Sequence, residues 1–156
     1  NCLAGLRLGD IPTEVQTETL VASLRYAADA AAAAGVRQVV EPLNAFDAPS
    51  CFLPTPQAGF DIVERAAHPN LRLQYDVYHA QRMSGNLAAT IAARIAQIGH
   101  VQIADSPDRH EPGTGEINYP FVFQALDDAG YDGWVSLEYR PRGTTEESLG
   151  WMASCR

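Results

Sequence analysis

Four short apolar runs in this chain each carry, at or near their end, a side chain that can hold a divalent cation. They are Gln38–Glu41, Leu71–Asp76, His100–Ala104 and Val135–Glu138, and Glu41, Asp76, Gln102 and Glu138 follow one another at intervals of 35, 26 and 36 residues. Such intervals hold one strand, one helix and their loops, the repeat from which parallel α/β folds are built. If each run is a parallel strand, its last inward residue lies at the carboxyl end of the sheet, where α/β enzymes keep their chemistry. Three carboxylates and an amide meeting there make an all-oxygen site, suited to Mg²⁺ or Mn²⁺ rather than zinc.

The segments between the runs have helical period. Leu20, Leu24, Ala27, Ala28 and Ala31 form a stripe closed by Gly35, and Thr55-Pro56 is an N-cap and first-turn pair ahead of Ala58, Ile62 and Ala66. Asn86 is the expected cap of a third helix with the stripe Leu87, Ile91, Ile95 and Ile98 and its stop at Gly99. Pro120 opens a fourth, with Val122, Ala125, Leu126 and Ala129 inward and Gly130 at its end. A fifth begins near Thr145, where Glu146 and Glu147 suit a helix N-terminus.

Period two along the strands then divides the sheet into unlike faces. Val39, Gln74, His100 and Ser136 share a face with the four candidate ligands, whereas Val40, Tyr75, Val101 and Leu137 occupy the other. A polar lumen inside an apolar, helix-covered wall describes a (β/α) barrel, since an open sheet covered on both sides is more often apolar on both. A barrel needs about eight strands. The chain supplies four, plus the stub Cys2–Ala4, which reads as the end of a strand that begins outside it. The expected organisation is a single domain over 1–156 forming a partial barrel, completed by absent strands or by a second copy.

Composition narrows the partners. A net charge of −8 with no cluster of basic residues gives no field for a phosphate backbone, so nucleic acid is not expected. The most apolar stretch, Ala27–Val40, is broken by Asp29, Gly35, Arg37 and Gln38 and is too short for a bilayer. Three widely spaced cysteines suit a reducing, cytoplasmic compartment better than a disulfide framework. The glycines of 105–116 match neither a dinucleotide nor a P-loop spacing, so no nucleotide is implied.

Taken singly, Glu41, Asp76 or Glu138 is as readily a solvated strand end, and Gln102 a hydrogen-bonded amide; four together argue for a site. His79, three residues after Asp76, is placed to reach a substrate or to lie on the surface. His100 reads as a satisfied core histidine and His68 as solvent-facing. Arg109, in the long loop after the third run, suits a substrate carboxylate, or a bridge to Glu111 or Asp105.

Glu41-Pro-Leu-Asn44, Leu73-Gln-Tyr-Asp76-Val-Tyr-His79, Gly99-His-Val-Gln102-Ile-Ala-Asp105, Arg109-His-Glu-Pro-Gly-Thr-Gly-Glu-Ile-Asn-Tyr-Pro120 and Gly133-Trp-Val-Ser-Leu-Glu138-Tyr139 resemble the hydroxypyruvate isomerase family, within the xylose-isomerase-like TIM barrels. The resemblance implies an α/β (β/α)₈ barrel of which this chain is the C-terminal half, from the end of strand four through strand eight. It implies Glu41 and Glu138 as the acid/base pair, Glu41, Asp76, Gln102 and Glu138 as the shell of Mg²⁺ or Mn²⁺, and His79, Arg109 and Glu116 as contacts to a small hydroxy-oxo acid. The implied reaction interconverts hydroxypyruvate and 2-hydroxy-3-oxopropanoate through a metal-stabilised enediolate. A 2-oxo-tetronate isomerase or ketose 3-epimerase with the same site, and an inactive fragment that exposes an apolar edge and oligomerises, are the alternatives. A barrel endonuclease on damaged DNA would need several histidine ligands and a basic rim, which the sequence lacks.

Overall fold

The computed structural model describes residues 1–154. Five parallel strands lie in one sheet in chain order: β1 (Cys2–Leu3), β2 (Gln38–Glu41), β3 (Leu71–Asp76), β4 (Ile98–Ile103) and β5 (Val135–Leu137). Helix α1 (Thr13–Ala33) joins β1 to β2, α2 (Pro56–Ala66) joins β2 to β3, α3 (Val77–Met83) and α4 (Leu87–Arg94) fill the crossover to β4, and α5 (Tyr119–Asp128) precedes β5. A last turn, α6 (Thr145–Ser148), carries a capping box between Thr144 and Glu147. None of the described helices is long and apolar enough to cross a membrane.

The two faces of the sheet separate as the alternation predicts in β2, β3 and β4, whereas Leu137 of β5, expected on the apolar face, is 41% exposed. Val40, Leu73, Tyr75, Val101 and Ile103 are buried against Leu20, Leu24 and Ala28 of α1, Phe60, Ile62 and Val63 of α2, Ile91 of α4 and Val122 and Leu126 of α5. This cluster is the core, and its dispersion and burial terms hold the layers together. On the other face, Gln74 hydrogen-bonds Gln102, and His100 lies 2.7 Å from the Ser136 hydroxyl. Polar groups there satisfy one another along the row.

The crossover from β3 to β4 departs from the sequence reading in three ways. A helix starts directly after β3, because Asp76 Oδ1 accepts the Tyr78 and His79 N–H groups at 2.8 and 3.3 Å. Asn86 is the N-cap residue of the next helix, as expected, but it sits at φ +51° and its side chain makes no capping hydrogen bond. Ile98 and Gly99 belong to β4 rather than to a helix end, for Ile98 pairs with Leu73. Gly99 is required by close approach. A Cβ there would lie 2.6 Å from Cβ of Arg72 and 3.1 Å from Cγ1 of Val39. Helix α5 opens one residue ahead of Pro120, at Tyr119, with Asn118 as its cap, the side chain accepting from Phe121 N. At the far end, β5 stops at Leu137, and Glu138 follows it with its N–H on the Ile103 carbonyl at 3.1 Å.

Candidate active site at the carboxyl ends of the strands

Glu41 closes β2 and Asp76 closes β3, so the strands deliver both carboxylates to the same rim, and the first turn of α3 brings His79 up beside them. All three are buried, and one ligand atom from each lies within 4.8 Å of the others. Glu41 Oε1, Asp76 Oδ2 and His79 Nε2 are buried there without a hydrogen-bond partner. Groups so placed are costly to leave alone, and their convergence marks a place for a ligand.

The other oxygens are occupied. Glu41 Oε2 accepts from Asn1 Nδ2 at 2.7 Å, and Asp76 Oδ1 caps α3. Burial pushes the Glu41 carboxyl above the usual range, the charge of Glu138 adds to this, and the neighbouring Gln74 amide and the Asn1 hydrogen bond oppose it. Asp76 is pushed up to about 7, first by burial and then by Glu41, against the pull of Arg109 and its two backbone donors. Burial and the Arg109 guanidinium bring His79 down to about 4, so its ring is neutral at physiological pH.

The tautomer of that ring follows from geometry. His79 Nδ1 receives the backbone N–H of Asn44 at 3.1 Å. A ring nitrogen that accepts from a main-chain amide carries no proton, so the proton of neutral His79 is on Nε2, the atom that faces the site. Around it, Asn44, buried, sets Asp47, which accepts from both Asn44 Nδ2 (3.0 Å) and the Tyr78 hydroxyl (2.8 Å). The sequence reading gave no role to Asn44, Asp47 or Gln74. Gln74 was legible as a lumen residue by its period, whereas Asn44 and Asp47 lie in a loop with no periodicity to read.

Arg109 places Nη2 2.7 Å from Glu138 Oε2 and 3.8 Å from Asp76 Oδ2, with its guanidinium 5.2 Å above the Tyr78 ring. Its ion pairs are therefore to these two candidate ligands and not to Glu111 or Asp105. Glu138 is half exposed, at the rim. Gln102 is in register with Asp76 on the next strand, its amide oxygen accepting from Gln74. Glu116 stands apart from the cluster and accepts from Ser106 Oγ at 2.9 Å and Gln81 Nε2 at 3.3 Å. His100 is partly buried on Ser136 as a satisfied histidine should be. His68, expected to face solvent, is instead largely covered and lies 3.1 Å from Asp29, because Nδ1 also takes the Asn70 N–H.

Consecutive parallel βα units with a polar lumen and acidic groups gathered at the strand ends define a protein of the (β/α)-barrel class. The description "Xylose isomerase-like TIM barrel" is that of the family model that matches residues 1–155, and the chain belongs to this family. It is 44% identical over 150 residues to a 2-oxo-tetronate isomerase of Cupriavidus necator, covering 96% of this chain and 58% of that one. It is 43% identical over 152 residues to a hydroxypyruvate isomerase of Escherichia coli, covering 97% of this chain and 59% of the relative. A crystal structure named as an AP endonuclease, family 2, from Brucella melitensis superposes with a TM-score of 0.90 at 43% identity, covering 95% of this chain and 57% of that one. The chain thus spans just under three fifths of the length of these relatives.

Proposed function

We propose that this site catalyses the reversible isomerisation of hydroxypyruvate and 2-hydroxy-3-oxopropanoate, with the five strands forming part of a closed eight-stranded barrel in a reducing, cytoplasmic setting. The observation that carries the reading is the convergence of Glu41 Oε1, Asp76 Oδ2 and His79 Nε2, all buried without a hydrogen-bond partner, at the strand ends of a chain so similar to named hydroxypyruvate and 2-oxo-tetronate isomerases.

The residues fit a hard divalent cation. Two buried carboxylate oxygens without donors, with Gln102 in register beside Asp76 and Glu138 across the rim, are the oxygen set that Mg²⁺ or Mn²⁺ prefers. Glu41, Asp76, Gln102 and Glu138 would hold it; His79, protonated on Nε2, offers no lone pair there. A bound cation supplies charge that polarises the substrate's carbonyl and hydroxyl oxygens.

The chain's own groups do the rest. Arg109 pairs with the substrate carboxylate, which an acidic protein otherwise repels. His79 Nε2–H donates to a substrate oxygen, stabilising negative charge as it develops. Of Glu41 and Glu138, one removes the proton from the hydroxyl-bearing carbon, leaving the enediolate of the substrate; a proton is returned to the neighbouring carbon while the hydroxyl gives up its proton and the former carbonyl oxygen takes one. The chain contains no lysine, so none of its side chains can form a Schiff base with the carbonyl.

Proton NMR of hydroxypyruvate with the protein in D₂O, with Mg²⁺ or Mn²⁺ and then with chelator, tests this directly. Metal-dependent aldehyde formation with deuterium uptake is expected; conversion that ignores the chelator would remove the cation from the reading. The 2-oxo-tetronate isomerase similarity supports a second substrate of four carbons. Relative turnover on three- and four-carbon acids separates the two.

A further inference from the structure

One side chain outside the cluster organises the loop that carries Arg109. Asp105, just beyond β4, is buried, and its carboxylate accepts five backbone N–H groups. Oδ1 takes those of Ser106 (2.9 Å) and Ile117 (3.1 Å); Oδ2 takes those of Gly113 (2.8 Å), Thr114 (3.1 Å) and Gly115 (2.9 Å). Its main chain adds two more bonds, donating to the His110 carbonyl at 2.7 Å and accepting from Arg109 N at 2.9 Å. Both ends of the loop are thereby drawn onto one carboxylate, which meets the donor demand of a turn that no strand or helix could satisfy. Gly115 is fixed by the same knot, since a Cβ there would lie 2.0 Å from the Ser106 carbonyl oxygen and 2.7 Å from Asp105 Oδ1.

Arg109 lies inside the closed loop at φ +61°, the left-handed region that a side chain with a Cβ seldom adopts. Its carbonyl accepts from Arg140 N at 2.8 Å, joining the loop after β4 to the segment after β5. From this backbone the guanidinium reaches Glu138 and Asp76. A conformation of that kind persists only where its surroundings over-determine it, and here they are the bonds that gather the loop on Asp105, together with the Arg140 N–H on the Arg109 carbonyl.

We propose that Asp105 is a positioning residue for Arg109: its carboxylate, by holding the N–H groups of 106, 113–115 and 117, keeps Arg109 in the left-handed region with its guanidinium on Glu138. The activity part of this rests on the isomerase reading above, whereas the placement of Arg109 does not. Asp105→Asn nearly conserves volume but turns an NH₂ towards N–H groups that need an acceptor.

Arginine-labelled protein provides the first measurement. The Arg109 Nε–H resonance, identified by its loss in Arg109→Lys, should be distinct in the parent and collapse to the free-arginine position in Asp105→Asn, while the other arginines keep theirs. Gly115→Ala should do the same from the opposite side of the knot, and is read instead if Asp105→Asn loses the dispersion of every arginine. In the deuterium-exchange assay, Asp105→Asn should lose at least a hundredfold in turnover, and the double variant with Arg109→Ala should be no slower than Arg109→Ala alone. Added guanidinium should rescue both of the latter equally. An unmoved Arg109 signal in both knot variants, or losses that multiply in the double variant, would overturn the proposal. A parent without isomerase activity would count against the functional reading, and the arginine spectrum then decides this one alone.

Discussion

Asp76 illustrates how much one residue carries. Its Oδ1 caps a helix while its Oδ2 faces the site, and burial raises its pKa to about 7 from an ordinary 3.8. A carboxyl raised in the fold binds its proton more tightly than in the unfolded chain, so its ionisation penalises the metal-free protein fully above pH 7, and the penalty fades as pH falls towards 4. Asp76→Asn keeps the capping oxygen and removes the charge. In chelator it should therefore melt higher than the parent at pH 8, by at most about 4 kcal/mol of stability, with no advantage left near pH 4; scanning calorimetry at the two pH values checks this. Glu41→Gln and Glu138→Gln should each lose at least about 10² in turnover, the usual weight of a general acid or base, and stopped-time NMR of product measures it. Retained turnover in either would remove that residue from proton transfer.

At the scale of the element, what was legible depended on whether one local signal had one meaning. Strands β2 and β3 read correctly because their apolar runs end in carboxylates, and α2 because Thr55-Pro56 is an unambiguous start. Helix α3 went unread: its cap is Asp76, a residue already claimed by the site, and its seven residues are too few for a stripe. The junction of α4 and β4 misled for a different reason. Leu87, Ile91, Ile95 and Ile98 keep helical spacing straight into the strand, and only pairing of Ile98 with Leu73, a contact between residues distant in sequence, ends the helix earlier. Likewise the Asp105 knot joins residues across a loop without periodicity, so only its tertiary closure reveals it. Gly99→Ala tests the strand assignment: its methyl would collide with Arg72 and crowd Val39, and should cost about 1–3 kcal/mol in denaturant unfolding.

Across the molecule, the sheet is open among the described residues: β1 and β5 each have a single neighbour. Leu3 is 58% exposed on one edge, and Trp134, 84% exposed, leads into the other. Apolar edges of this kind invite pairing. In sedimentation at rising concentration, the chain alone should exceed its 16.9 kDa monomer mass, and Trp134→Lys should shift it back towards monomer. The strand order has a consequence of another kind. Because each of β2 to β5 neighbours the strand before it in sequence, none of the ladders between the described strands waits for a segment still to be made. Each βα unit can dock on its predecessor as the chain emerges from the ribosome, so loop-closure costs stay local and a pairing error would require a whole unit to be skipped.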